Sequence, residues 1–159
     1  MIFNGAALDI PLFTPHAPDR DPRAVALVEA LRKADGVMIS SPGYHGTISG
    51  HVKNALDYLE DLRADERPYL QNRAVGCIST AAGWQAAVTT LTALRGVVHA
   101  LRGWPTPLGV AVNTIDLQFD NQAKCISADL DKSLETMAGQ VVEFVKATRA
   151  LASYSGAEP

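Results

Sequence analysis

SPGYHGTISGHVKNALDYL, residues 41–59, decides how this chain reads. A turn rich in glycine and proline, carrying Tyr44 and His45, separates the apolar run GVMIS (36–40) from a segment in which Val52, Ala55, Leu56, Leu59 and Leu62 recur. A short continuous apolar run suits a strand buried on both faces. Recurrence at three and four residues suits an amphipathic helix. Small residues between the two leave backbone amides accessible, so the stretch reads as strand, ligand-accessible turn and helix.

The same unit recurs downstream. AVGCIS (74–79) is a second buried strand and TAAG (80–83) the small-residue turn after it. Trp84, Ala87, Val88, Leu91, Leu94, Val98 and Leu101 then mark a helix. PLGVAV (107–112) is a third strand. A loop holding Asp116, Asp120 and Asn121 leads to Ser127, suited to an N-cap, and to a long helix with Leu130, Leu134, Met137, Val141, Val145 and Thr148 on one face. Upstream, Asp21 and Pro22 suit the N-cap and first position of a helix over 22–34, which Asp35-Gly36 ends. Strand, turn and helix in repetition predict an α/β fold, an open parallel sheet with helices on both faces. Ligands of such sheets lie at the carboxyl ends of the strands. That rule brings the turns at 42–48 and 80–83 into one candidate crevice.

Composition narrows the class. With 159 residues, 47% hydrophobic and 19% charged, the chain suits a single domain, here placed at 1–151, with 152–159 as a frayed tail. Its 17 acidic and 14 basic residues are interleaved and give a net charge of −3. No basic block is present to neutralise a row of phosphates, so nucleic acid is not an expected partner. No apolar stretch nears the roughly 20 residues that span a bilayer, and no signal-like pattern opens the chain. A cytoplasmic protein without a membrane partner is expected. Cys77 and Cys125 form no C-x-x-C pair and read as reduced thiols, Cys77 as part of the core.

The run Ser41-Pro42-Gly43-Tyr44-His45-Gly46-Thr47-Ile48-Ser49-Gly50, followed by Val52-Lys53-Asn54-Ala55-Leu56-Asp57-Tyr58-Leu59, resembles the NADPH-dependent FMN reductase family of flavodoxin-like proteins. The family pattern is close to S/T-P-E-Y-N-G-S-I-P-G-x-L-K-N-A-I-D-W. Gly43, His45, Thr47 and Ser49 replace Glu, Asn, Ser and Pro. The resemblance implies that Pro42, Gly43, Tyr44, His45, Gly46, Thr47 and Ile48 lie against the isoalloxazine ring of FMN, and that Thr80, Ala81, Ala82 and Gly83 close its other side. It further implies an oxidoreductase that passes hydride from NADPH or NADH through FMN to a small-molecule acceptor such as free flavin or a quinone. A homodimer or homotetramer is the expected assembly. The flavin carries the chemistry, so no catalytic side chain is assigned.

Each residue also has a plainer reading. His45 in a polar loop is a solvated turn residue. His45 and His51 are spaced unlike zinc ligands and have no second pair, so no metal site is assigned. Lys53 and Asp57, four apart, form an intrahelical ion pair or an oligomer contact. Trp84 belongs to the core, to an interface or to the roof of the flavin. Gly46 to Gly50 places its serine one position off the G-x-S-x-G spacing of a nucleophile elbow, which counts against a hydrolase.

The departure from the family lies at the start. Family members open with a strand and a loop resembling G-S-x-R-x-x-S that holds the FMN phosphate, whereas this chain opens MIFNGAALDIPLF (1–13). The reading is therefore of an N-terminally truncated flavodoxin-like domain. Loss of that strand leaves the strand at 36–40 with an unpaired apolar edge that must be covered, by a partner subunit, a rearranged N-terminus or a longer natural chain, and the domain is expected to hold FMN weakly. The alternative is a non-catalytic flavodoxin-like interaction domain that has lost tight FMN binding.

Overall fold

The computed structural model describes residues 1–115, 120–122 and 127–155, without the side chains of 154 and 155. The expectations for Asp116, Cys125 and the tail beyond 155 lie outside these residues. The elements run α1 (Pro22–Lys33), β1 (Gly36–Tyr44), β2 (Thr47–Ile48), α2 (Gly50–Asp57), a 3₁₀ helix (Tyr58–Leu62), β3 (Ala74–Ala81), α3 (Trp84–Ala100), β4 (Trp104–Pro105), β5 (Val110–Asn113) and α4 (Ala128–Ser155). β1, β3, β4 and β5 are parallel. β3 takes β1 along one edge and β4, then β5, along the other, while β2 folds back antiparallel on the tip of β1.

Side chains alternate across the sheet, and the two faces are told apart by what covers them. Met137 of α4 lies over Gly76, where a Cβ would come within 3.2 Å of its sulfur. Val75 and Cys77 face the other way, into a core with Leu27 and Val28 of α1, Leu56 of α2, Leu59 and Leu62 of the 3₁₀ helix, and Leu94 and Val98 of α3. Helices thus cover both faces, as the sequence predicts. Burial pushes the Cys77 thiol up to about 11, the behaviour of an inert core cysteine.

The caps follow the sequence as well. The Asp21 carboxylate accepts the Arg23 N–H at 2.8 Å, and the Ser127 hydroxyl accepts the Leu130 N–H at 3.3 Å. Four elements differ in their bounds. β1 and β3 continue to Tyr44 and Ala81, past the apolar runs, because each pairs with the other as far as Pro42 and Thr80. The third strand is shorter than 107–112 and shifted, with Leu108 held instead by an N–H donated to Gln140 Oε1 at 2.9 Å. α4 reaches Ser155, past the expected tail boundary at 151, carried on by Ala150, Leu151 and Ala152, which favour helix.

No strand precedes α1 among the described residues. The N-terminal segment lies on α2 and the 3₁₀ helix instead. Asn54 is the fastener: its Oδ1 accepts the Phe13 N–H at 2.8 Å and its Nδ2 donates to the Pro11 carbonyl at 2.9 Å. The Tyr58 hydroxyl donates to the same carbonyl, and Arg20 stacks over Phe13 while pairing with Asp61 at 2.6 Å.

Asp35, between α1 and β1, anchors the end of α4. Its carboxylate meets Arg149 at 2.5 Å and Arg67 at 3.2 Å, and these guanidinium groups, Arg149 foremost, hold its pKa below the usual carboxylate range. A carboxyl depressed in the fold contributes stability above its unfolded pKa of about 3.9, and that contribution is lost as pH falls through the folded value. Asp35→Asn is expected to cost at most about 1 kcal/mol near neutrality, since both partners are partly exposed. Urea unfolding at neutral and acidic pH checks this. The difference between the two proteins should vanish well below about pH 3.9. A difference that persists there would show that the carboxylate charge is not its source.

Candidate functional site

The quoted turn is a β-hairpin. Gly43 pairs with Ile48 and Tyr44 with Thr47, leaving His45 and Gly46 as a two-residue loop with φ of 52° and 90°. Two positive φ values are the signature of a type I′ turn, which favours Asn-Gly. His45 stands where the family pattern has Asn, and histidine is among the residues that tolerate this conformation. The backbone conformation therefore accounts for a histidine at this position.

Small hydroxyls beneath the hairpin fix it. The buried Ser41 hydroxyl accepts the Ser49 N–H at 3.0 Å and donates to the Pro42 carbonyl at 2.9 Å. Ser49 in turn caps α2, its hydroxyl accepting the Val52 N–H at 3.1 Å. From α3, the buried Thr90 hydroxyl reaches the Thr47 carbonyl at 3.4 Å and lies directly under Gly43.

Thr80 and Ala81 are not turn residues. They complete β3, paired with Val112 and Asn113 of β5, and only Ala82 and Gly83 turn the chain into α3. Asn113 braces that turn: its Oδ1 accepts the Gly83 N–H at 2.8 Å and the Ile115 N–H at 3.2 Å. Gly83, with φ of 111°, is the N-cap of α3, and no side chain caps the helix. Free N–H groups of its first turn carry partial positive charge and favour an anionic group nearby.

The two predicted turns come together at the carboxyl ends of β1 and β3. Pro42 lies beside Thr80 in register, and a Cβ on Gly43 would be 3.4 Å from that of Ala81. A Cβ on Gly46 or Gly83 would meet no atom within 4 Å, so space is open before both turns. Tyr44 and Trp84 flank this space, each 61% exposed. Trp84 is thus a surface residue, not core. Lys53 pairs with Asp57 at 2.5 Å within α2. Among the described residues no three His, Cys, Asp or Glu side chains converge to hold a metal ion.

Sequence reasoning missed Thr90 and Asn113 as the supports of these turns. Asn113 carried a signal, since asparagine closing an apolar run commonly bonds backbone two residues on. Thr90 carried none, because its neighbours come from 43 residues upstream.

An open α/β sheet whose small-residue turns meet at the carboxyl ends of neighbouring strands is the arrangement of flavodoxin-like proteins. The NADPH-dependent FMN reductase family matches residues 2–116, and the chain belongs to that family. It is accordingly an FMN-dependent NAD(P)H oxidoreductase. It is 27% identical to an NADPH azoreductase of a Bacillus species, over 91% of this chain and 80% of that protein. It is 29% identical to an FMN-dependent NADPH-azoreductase of Staphylococcus aureus, over 87% and 71%. Among solved structures, an oxidoreductase from Corynebacterium diphtheriae matches with a TM-score of 0.64 and 20% identity, over 82% of this chain and 66% of that one. FerB, a flavoenzyme NAD(P)H:(acceptor) oxidoreductase from Paracoccus denitrificans, matches with 0.63 and 17%, over 88% and 75%. At these identities the structural likeness concerns the fold.

Proposed function

We propose that FMN lies across the hairpin tip, Pro42 to Ile48, and the end of β3 with its turn, Thr80 to Gly83, and that the protein reduces small planar acceptors there. The open space before Gly46 and Gly83 carries this reading, because a flat ring can approach the backbone closely only where no side chain stands. Hairpin amides and the uncapped start of α3 suit the electron-rich edge of a reduced flavin. Bound FMN supplies the two-electron chemistry between NAD(P)H and the acceptor. The chain's own residues bind and orient. Ser41, Thr90 and Asn113 hold the two turns, while exposed Tyr44 and Trp84 offer aromatic surface for a planar ring. The acceptor class is free flavin, a quinone or an azo compound, the last in keeping with the azoreductase relatives.

The setting proposed is cytoplasmic, where no helix of the described residues is long and apolar enough to cross a membrane. The assembly proposed is a homodimer or homotetramer. Trp84 and Val88, one turn apart on α3 and more than half exposed, are the surface it would cover. Light scattering at micromolar concentration tests this, and a monomer overturns it.

Gly46→Phe tests the flavin site. The new side chain meets no protein atom near its Cβ, so the fold bears only a positive-φ cost of about 1–2 kcal/mol. Its ring projects into the space assigned to FMN. Titration of flavin fluorescence should show affinity reduced by at least about a hundredfold, near 3 kcal/mol. Unchanged affinity in a folded variant removes the assignment.

A further inference from the structure

Asn113, the last residue of β5, fixes the direction of one peptide in the crevice. The Thr114 N–H donates to the Ala81 carbonyl at 2.9 Å, so that carbonyl faces the β5 side of β3. Along an extended chain the next carbonyl turns the other way. The Gly83 N–H agrees with this alternation, since it faces the end of β5 and donates to Asn113 Oδ1 at 2.8 Å. No peptide bond among the described residues is cis, and in a trans peptide the N–H and the C=O point in opposite directions. The Ala82 carbonyl is therefore aimed away from β5, toward the edge of β3 on which β1 and its hairpin stand. Ala82 is exposed, and no donor among the described residues reaches its carbonyl.

From this arrangement we infer that Asn113 is a positioning residue for the flavin, holding the Ala82 carbonyl where it accepts the N3–H of the isoalloxazine ring. The inference rests on the flavin site proposed above and names the edge of the ring that the turn receives. That edge is an imide, one N–H donor between two carbonyl acceptors. The turn offers the complement, a lone acceptor followed directly by the uncapped first-turn N–H groups of α3. Amide donors alone would suit the two ring carbonyls and leave N3–H without a partner, which costs affinity when the ring is covered. Asn113 supplies the missing acceptor indirectly, by occupying the N–H on the far end of the same peptide. Without it the Ala82–Gly83 peptide is free to turn over, because Gly83 has no Cβ to oppose the change. The peptide N–H would then face the ring N–H, donor against donor.

Titration of the intact protein with FMN and with 3-methyl-FMN, in which a methyl group replaces the N3 proton, reads this contact through flavin fluorescence. FMN should bind at least about tenfold more tightly than its methylated analogue. Asn113→Leu withdraws the acceptor from the Gly83 N–H and should bring the two affinities within about threefold of each other. Asn113→Asp keeps an acceptor there and should keep the preference. A merely structural asparagine would weaken both flavins alike and leave their ratio unchanged, and circular dichroism establishes that each variant is folded. Equal affinity of the unaltered protein for the two flavins overturns the inference while leaving the flavin site in place, and that comparison needs no variant. So does a preference that Asn113→Leu leaves intact, or one that Asn113→Asp abolishes as fully as Asn113→Leu. Failure of both flavins to bind the unaltered protein overturns the site itself, and the inference with it.

Discussion

Gly43→Val should leave a folded protein whose flavin affinity and turnover fall by about two orders of magnitude. A Cβ at this position overlaps the Thr90 hydroxyl and lies 3.2 Å from Thr90 Cβ and 3.4 Å from Ala81 Cβ. Thr90 is fully buried on α3 and cannot swing into solvent, so the hairpin must lift or α3 must retreat. Overpacking of this kind costs about 1–3 kcal/mol in stability. The larger effect is positional, since a shift of about 1 Å in groups that orient a reacting ring can cost a hundredfold. The alanine variant separates overlap from other causes. Gly43→Ala should be impaired less, and adding Thr90→Ala, which removes the hydroxyl in conflict, should recover part of the loss. Measured as a double-mutant cycle on flavin affinity, the coupling should be positive and at least about 0.5 kcal/mol. Strict additivity would mean that Thr90 does not set the hairpin's height.

Arg73→Met should destabilise the fold by about 3 kcal/mol while leaving flavin affinity of the folded fraction unchanged. Arg73 is 1% exposed and spends its guanidinium on main-chain carbonyls: Ala34 and Arg32 at 2.9 Å, Tyr69 at 3.1 Å, Gln71 at 3.3 Å and Arg67 at 3.4 Å. It thereby ties the end of α1 and the entry to β1 to the loop that feeds β3. Burial pushes its pKa down, yet the donors remain in place, and Asp35 and Asp65 favour the charge from a distance. Methionine fills the stem's volume and returns none of the hydrogen bonds. Each buried carbonyl left without a donor costs about 1–3 kcal/mol, moderated here because Arg32, Asp65, Glu66 and Arg67 border a water-accessible recess beside the site. Arg73→Lys should recover about half, since an ammonium offers fewer donors and no planar fork. Guanidinium denaturation curves give the comparison. A loss below about 1 kcal/mol for the methionine variant would show that solvent replaces the arginine freely.

What the sequence alone determined is whatever depends on neighbours a few residues away. The apolar runs at 36–40 and 74–79 are strands, the second buried on both faces as such a run suits and the first with Met38 and Ser40 exposed, and the capping of α1 by Asp21 and of α4 by Ser127 is local hydrogen bonding. The position of the crevice followed from these, because turns that follow neighbouring parallel strands must emerge on one side. Tertiary structure decided the rest. Thr80 became strand because β1 and β5 pair on either side of it, and Ala81 because Asn113 of β5 pairs with it, which local preference cannot report. Arg73 is buried because carbonyls from Arg32 to Gln71 converge on it, and arginine in a polar stretch otherwise reads as solvated. Thr90 and Asn113 belong with these. Each owes its role to the spatial arrangement of segments distant in sequence, and only the packed sheet brings those segments within hydrogen-bonding distance.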